Sequence, residues 1–83
     1  MLTIDLRLIA SELTPGLKSG EYSIEDGSTV LDLLALCEKE NGALIPDGNY
    51  EYMYPLFNSR PVRLETALTE DGALHLCRAV VGG

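Results

Sequence analysis

One stretch of this chain has helical spacing, and it is bounded at both ends. Val30, Leu33, Leu34 and Cys37 recur at i, i+3, i+4 and i+7, which puts them on one stripe, while Asp32, Glu38, Lys39 and Glu40 stay on the wet side. With Thr29 as N-cap, Asp32 falls at N3, a capping-box pair with an acid at the positive end of the helix dipole. Asn41-Gly42 supplies a left-handed stop. A single amphipathic helix must bury its stripe against something. The other regular stretches all alternate with period two, so its partner is a sheet.

Leu2, Ile4, Leu6 and Leu8 alternate with Thr3, Asp5 and Arg7 as a first strand. Its end, Ile9-Ala10, is apolar on both faces, as expected of a strand held centrally. Ser11 to Gly20 contains the turn dipeptides Pro15-Gly16 and Ser19-Gly20 and reads as a long hairpin connection, the place where flexibility is expected. Tyr22 and Ile24 alternate with Glu21, Ser23 and Glu25 in a short second strand closed by Asp26-Gly27.

After the helix, Ala43 to Glu51 reads as an irregular connection. Tyr50, Tyr52 and Tyr54 share one parity, and Tyr52 to Phe57 is a third strand, expected near an edge because Pro55 has no amide for a ladder. Asn58-Ser59 turns the chain, and Arg60 to Leu64 returns as a short strand or arm. Leu64 and Leu68 are expected core anchors. Leu74, Leu76 and Val80 alternate with His75, Cys77 and Ala79 in a last strand. The order predicts an α+β fold of the β-grasp type, a mixed four- or five-stranded sheet with one main helix on one face and the first and last strands parallel neighbours. Residues 1–80 form the expected domain and 81–83 a tail.

The last strand runs into Ala79-Val80-Val81-Gly82-Gly83. Two glycines without Cβ atoms let another backbone approach closely and can enter a tunnel. The reactive group there would be the Gly83 carboxylate, inert until an ATP-using partner converts it to an acyl adenylate that a sulfur or amine nucleophile can attack. Elsewhere the sequence offers little chemistry. His75 is the single histidine, Cys37 and Cys77 have no CxxC spacing and read as packing residues, and no P-loop pattern occurs. No catalytic residue, bound cofactor or metal is expected.

Charge and hydropathy exclude further classes. Thirteen acids against six bases give −7, which disfavours nucleic acid and favours a partner with a basic docking face, while also serving solubility. No apolar run approaches the ~20 residues of a membrane span. The alternating Met1 to Arg7 stretch is unlike a secretory signal, so a cytoplasmic location is expected.

Several segments resemble the sulfur-carrier branch of the ubiquitin-like β-grasp proteins, the molybdopterin synthase small subunit and the thiamin sulfur carrier. They are Gly27-Ser28-Thr29-Val30-Leu31-Asp32-Leu33-Leu34, Asn58-Ser59-Arg60-Pro61-Val62, Leu68 to Leu76 around Glu70-Asp71-Gly72, and the ending Gly82-Gly83. The chain departs from those families where they often show Asn-Gly for Asn58-Ser59, Gly-Asp for Asp71-Gly72, and a proline within Arg78-Ala79-Val80. The resemblance implies activation of Gly83, with Gly82, by an E1-like adenylyltransferase that uses ATP. It further implies a thiocarboxylate delivered to a sulfur-accepting synthase, of the molybdopterin synthase large-subunit or thiazole synthase type. Val80, Val81, Glu70 and Asp71 are the expected partner contacts. Two other readings stand beside it: a ubiquitin-like modifier joined through Gly83 to lysines, and a non-catalytic interaction module.

Overall fold

The helix forms where its local signals place it. In the computed structural model, which describes residues 1–79, α1 runs from Val30 to Asn41. The Thr29 hydroxyl accepts from the Asp32 amide at 3.1 Å, and the Asp32 carboxylate accepts from the Thr29 amide at 3.0 Å. Gly42 closes the helix at φ 63°. The next orphan amides of the first turn are met from outside: Val30 N donates to Thr66 O and Leu31 N to Leu64 O. The arm after the second hairpin therefore caps the helix, which explains why Leu64 packs on the core and Leu68 lies within it.

Five strands build the sheet: β1 (Leu2–Leu8), β2 (Gly20–Ile24), β3 (Met53–Phe57), β4 (Arg60–Pro61) and β5 (Gly72–Arg78). Their order is β2-β1-β5-β3-β4. β1 and β5 are parallel, with Leu6 beside Leu74 and Leu8 beside Leu76, while β2 flanks β1 and β3 flanks β5 antiparallel. This is the α+β, ubiquitin-like β-grasp arrangement, with five strands where the sequence allowed four or five. The core sits between sheet and helix, where Ile4, Leu6, Leu74 and Leu76 from the two central strands and Val30, Leu33, Leu34 and Cys37 from α1 are wholly excluded from solvent. Period two on one side and 3.6 on the other meet there. Among the described residues no helix is long and apolar enough to cross a membrane.

Three expectations change. β1 stops at Leu8, because the Ile9 and Ala10 amides both turn onto the Leu76 carbonyl at 3.1 and 3.0 Å; Ala10 is buried, but Ile9 is exposed. The Ser11 to Gly20 connection is not a loose loop. It holds a 3-10 turn over Ser11–Leu13, and Leu13 and Thr14 are buried, with the Leu13 carbonyl accepting from the Asn49 side chain at 2.9 Å. Tyr50 and Tyr52 belong to a second 3-10 turn, Asp47–Tyr52, so strand parity applies to Tyr54 alone. As expected, β3 lies near an edge, one strand in from it. Pro55 is tolerated because its carbonyl accepts from Val62 on the β4 side, so its missing amide also faces away from β5 and costs no bond to that neighbour.

Candidate functional site

The candidate site is the end of β5. A strand held on both sides presents its end from a fixed root, and here the pairing continues one residue past the strand: Ala79 N donates to Tyr52 O at 2.7 Å. The expected reactive residues Gly82 and Gly83, with Val80 and Val81, lie outside the described residues. What the structure supplies is their point of departure.

That point carries an apolar rim. Ile9, 62% exposed, follows β1 on one flank of β5; Tyr52 and Tyr54, 37% and 45% exposed, come from the β3 flank. Neither flank is a lone stray side chain, because each is tied to β5 by a backbone bond, Ile9 N to Leu76 O and Ala79 N to Tyr52 O. Arg78 closes the third side. It shares the parity of Leu74 and Leu76, but at the strand's end it lies over the Tyr52 ring, 5.3 Å from the centroid, and reaches the Glu12 carboxylate at 3.5 Å. The uncovered sheet face leads up to this rim. Parity brings Asp5 and Arg7 of β1, Ala73, His75 and Cys77 of β5, and Tyr54 and Leu56 of β3 to that face, with Arg7 held by Asp5 at 2.9 Å.

The expected contacts are thereby split between two poles. Glu70 and Asp71 precede β5, whose seven residues at about 3.3 Å each span roughly 20 Å, so they stand far from Ala79. They also have partners within the chain: Asp71 Oδ1 accepts from Thr3 N at 2.9 Å and Glu70 Oε1 from Asn58 Nδ2 at 3.3 Å. Sequence reasoning missed Ile9, Glu12, Tyr52 and Arg78 as a group. The one available signal was the break in alternation at Ile9-Ala10; the Arg78 to Glu12 contact joins opposite ends of the chain and leaves no local mark.

Among the described residues no three His, Cys, Asp or Glu groups converge as metal ligands. Among the described residues one surface hollow lies against α1, lined by Ala35, Glu38, Leu44 and neighbours, and another is lined by Phe57, Asn58, Arg60, Val62 and Glu70. Cys37 is buried, and desolvation pushes its thiol up to about 12, where it is neither nucleophile nor ligand at neutral pH. Burial also raises the Tyr22 phenol, whose oxygen accepts from the Asn41 side chain at 2.9 Å and whose proton goes to the Lys18 carbonyl at 2.6 Å. These groups tie β2 to the end of α1. Their role is packing.

No family model and no curated protein matches the sequence. Solved structures do match. A chain from Pyrococcus furiosus assigned as molybdopterin converting factor, subunit 1, superposes with a TM-score of 0.65 at 14% identity, covering 96% of this chain and 100% of that one. Small archaeal modifier protein 1 from Haloferax volcanii superposes at 0.72 with 20% identity over 96% and 100% of the two chains. A further structure, SAMP1 from Haloferax volcanii, gives 0.69 with 22% identity over 98% and 99%. The likeness runs the length of the chain and is one of fold.

Proposed function

We propose that this protein is a small acyl-carrying protein that works through Gly83, and that its first role is sulfur transfer. The observation behind the reading is the position of β5: the strand leading to Gly82-Gly83 is paired on both sides, and beside its end stand exposed Ile9, Tyr52 and Tyr54 with the Arg78–Glu12 pair. Such a body positions a chain end for another protein's active site. In the proposed sequence an E1-like adenylyltransferase directs the Gly83 carboxylate onto the α-phosphate of ATP, pyrophosphate leaves, and the acyl adenylate forms. A sulfur nucleophile then displaces AMP and leaves a thiocarboxylate, which a synthase of the molybdopterin or thiazole type accepts. The chain contributes position and shape; the partner supplies ATP and chemistry. The likeness to a molybdopterin converting factor subunit supports this role.

A second role has its own support. The likeness to small archaeal modifier protein 1 favours an amine rather than sulfur as the acceptor of the same activated Gly83. Intact mass decides between them. Incubated with its E1-like partner, ATP and a sulfur donor, the chain should gain one oxygen-for-sulfur exchange, and removal of Gly83 should abolish adenylation without unfolding the body. Gly83 found in isopeptide bonds to lysines, with no thiocarboxylate trapped, would give the role to the modifier reading. A truncated chain that is still adenylated would remove Gly83 from the chemistry altogether.

A further inference from the structure

Three segments remote in sequence meet at Arg78. Its guanidinium lies over the Tyr52 ring at 5.3 Å and is 3.5 Å from Glu12 Oε2, while the next residue, Ala79, gives its amide to the Tyr52 carbonyl at 2.7 Å. Glu12 lies in the 3-10 turn after β1, Tyr52 ends the 3-10 turn before β3, and Arg78 is the last residue of β5. Strand parity alone would aim this side chain toward the core, beside Leu74 and Leu76, yet Arg78 is exposed and folds across the rim. The planar guanidinium suits this place, since one face stacks on the ring while its edge meets the carboxylate. Tyr52 is thus used twice, by backbone for Ala79 and by ring for Arg78.

We propose that Arg78 is a positioning residue: through Glu12 and Tyr52 it orders the root of the last strand at Ala79. The proposal rests on the reading of Gly83 as the activated residue, and it concerns how the root at Ala79 is held, not what reacts. Held at Arg78 and Ala79 together, the root offers a partner one starting geometry, and less order has to be imposed on binding. Because both side-chain contacts are exposed, they can be exchanged once a partner takes over the tail.

The test compares Arg78→Ala, Arg78→Lys, Glu12→Gln and Tyr52→Leu with the parent chain by amide hydrogen exchange at Ala79 and Leu74, and by steady-state adenylation with the E1-like partner. Arg78→Ala should exchange Ala79 about three- to tenfold faster, in keeping with the modest strength of exposed pairs, and leave Leu74 unchanged. Its KM as substrate should rise by a similar factor with kcat unaltered. Glu12→Gln and Tyr52→Leu should move both readouts the same way, and Arg78→Lys, which keeps the charge without the flat face, should fall between. The proposal is overturned if Ala79 exchange is unchanged in Arg78→Ala, or if Leu74 speeds up equally, which is general loosening. It is also overturned if KM rises in Arg78→Ala but in neither Glu12→Gln nor Tyr52→Leu, since Arg78 is then a direct contact of the partner. A parent chain that is never adenylated sinks the acyl-carrier reading instead, and exchange at Ala79 still decides whether Arg78 orders the root.

Discussion

The two ends of β5 are held by different physics. At its start the Asn58 side chain and backbone clasp Ala73 from both directions: Ala73 N donates to Asn58 Oδ1 at 2.9 Å, and Asn58 N donates to Ala73 O at 2.9 Å. The clasp is set by backbone shape, since Asn58 and Ser59 both have positive φ, 50° and 69°, as a two-residue primed hairpin turn requires. It also excludes side chains, because a Cβ on Gly72 would overlap the Asn58 carboxamide. At its finish the same strand is held by backbone bonds, from Ala79 N to Tyr52 O and from the Ile9 and Ala10 amides to Leu76 O, and by half-exposed long side chains, Arg78 on Glu12 and Tyr52. The first end is locked by geometry that leaves no alternative. The second is held in part by side-chain contacts that another molecule can replace.

Four measurements can break or sharpen that contrast. Leu34→Ala sets the scale, since both ends depend on the shared core: a wholly buried leucine should cost about 2 to 5 kcal/mol by denaturant unfolding, and an unchanged midpoint would remove it from that core. Gly72→Ala should follow at about 1 to 3 kcal/mol, the usual range for forcing a methyl group into filled space, because the carboxamide can make room only by giving up the Ala73 amide. A pH-dependent loss is expected from alkali. The Cys37 pKa is raised on folding, so the native state holds that proton more tightly than the unfolded chain does. Stability should therefore be intact below pH 9 and fall as pH rises toward about 12, with the raised Tyr22 phenol adding to the fall above pH 10. Cys37→Ala should flatten the Cys37 part of this slope; a slope that is unchanged would assign it to other groups. Arg78→Ala should be the mildest, within about 1 kcal/mol of the parent, as exposed ion pairs and cation–π contacts usually are. A loss as large as that of Gly72→Ala would mean the two ends are locked alike.

Legibility in the sequence follows the range of the interactions. α1 was readable to the residue because its cap, stripe and stop are all written within one or two turns, from Thr29 to Gly42. The sheet was readable in outline, since alternation reports which face is buried, and the crossover helix makes β1 and β5 parallel neighbours. The failures cluster where a local pattern meets a distant partner. Ile9 looks like strand, but its amide turns to Leu76 instead. Tyr52 carries strand parity yet sits in a 3-10 turn whose sequence, Asp47 to Tyr52, has turn residues that do not specify a helix type. The need for glycine at 72 depends on Asn58, and the placing of Arg78 on Glu12, so neither is visible until the sheet has formed. Glu70 and Asp71 were readable as exposed acids, but their bonds to Asn58 and Thr3 were not.

The parallel pairing of β1 with β5 also bears on when the molecule can exist. Ile4 sits beside Gly72 and Leu8 beside Leu76, so the centre of the sheet joins residues separated by nearly the whole chain. Closing so long a loop has an entropic cost that no earlier contact offsets in full, and topologies of this kind fold more slowly than those built from neighbours. On the ribosome, β2, α1 and the β3–β4 hairpin emerge with an empty slot between β1 and β3 that only β5 can fill. A nascent chain cut short before Gly72 therefore lacks its middle strand and has no completed core. A complete core waits for β5, from Gly72 to Arg78.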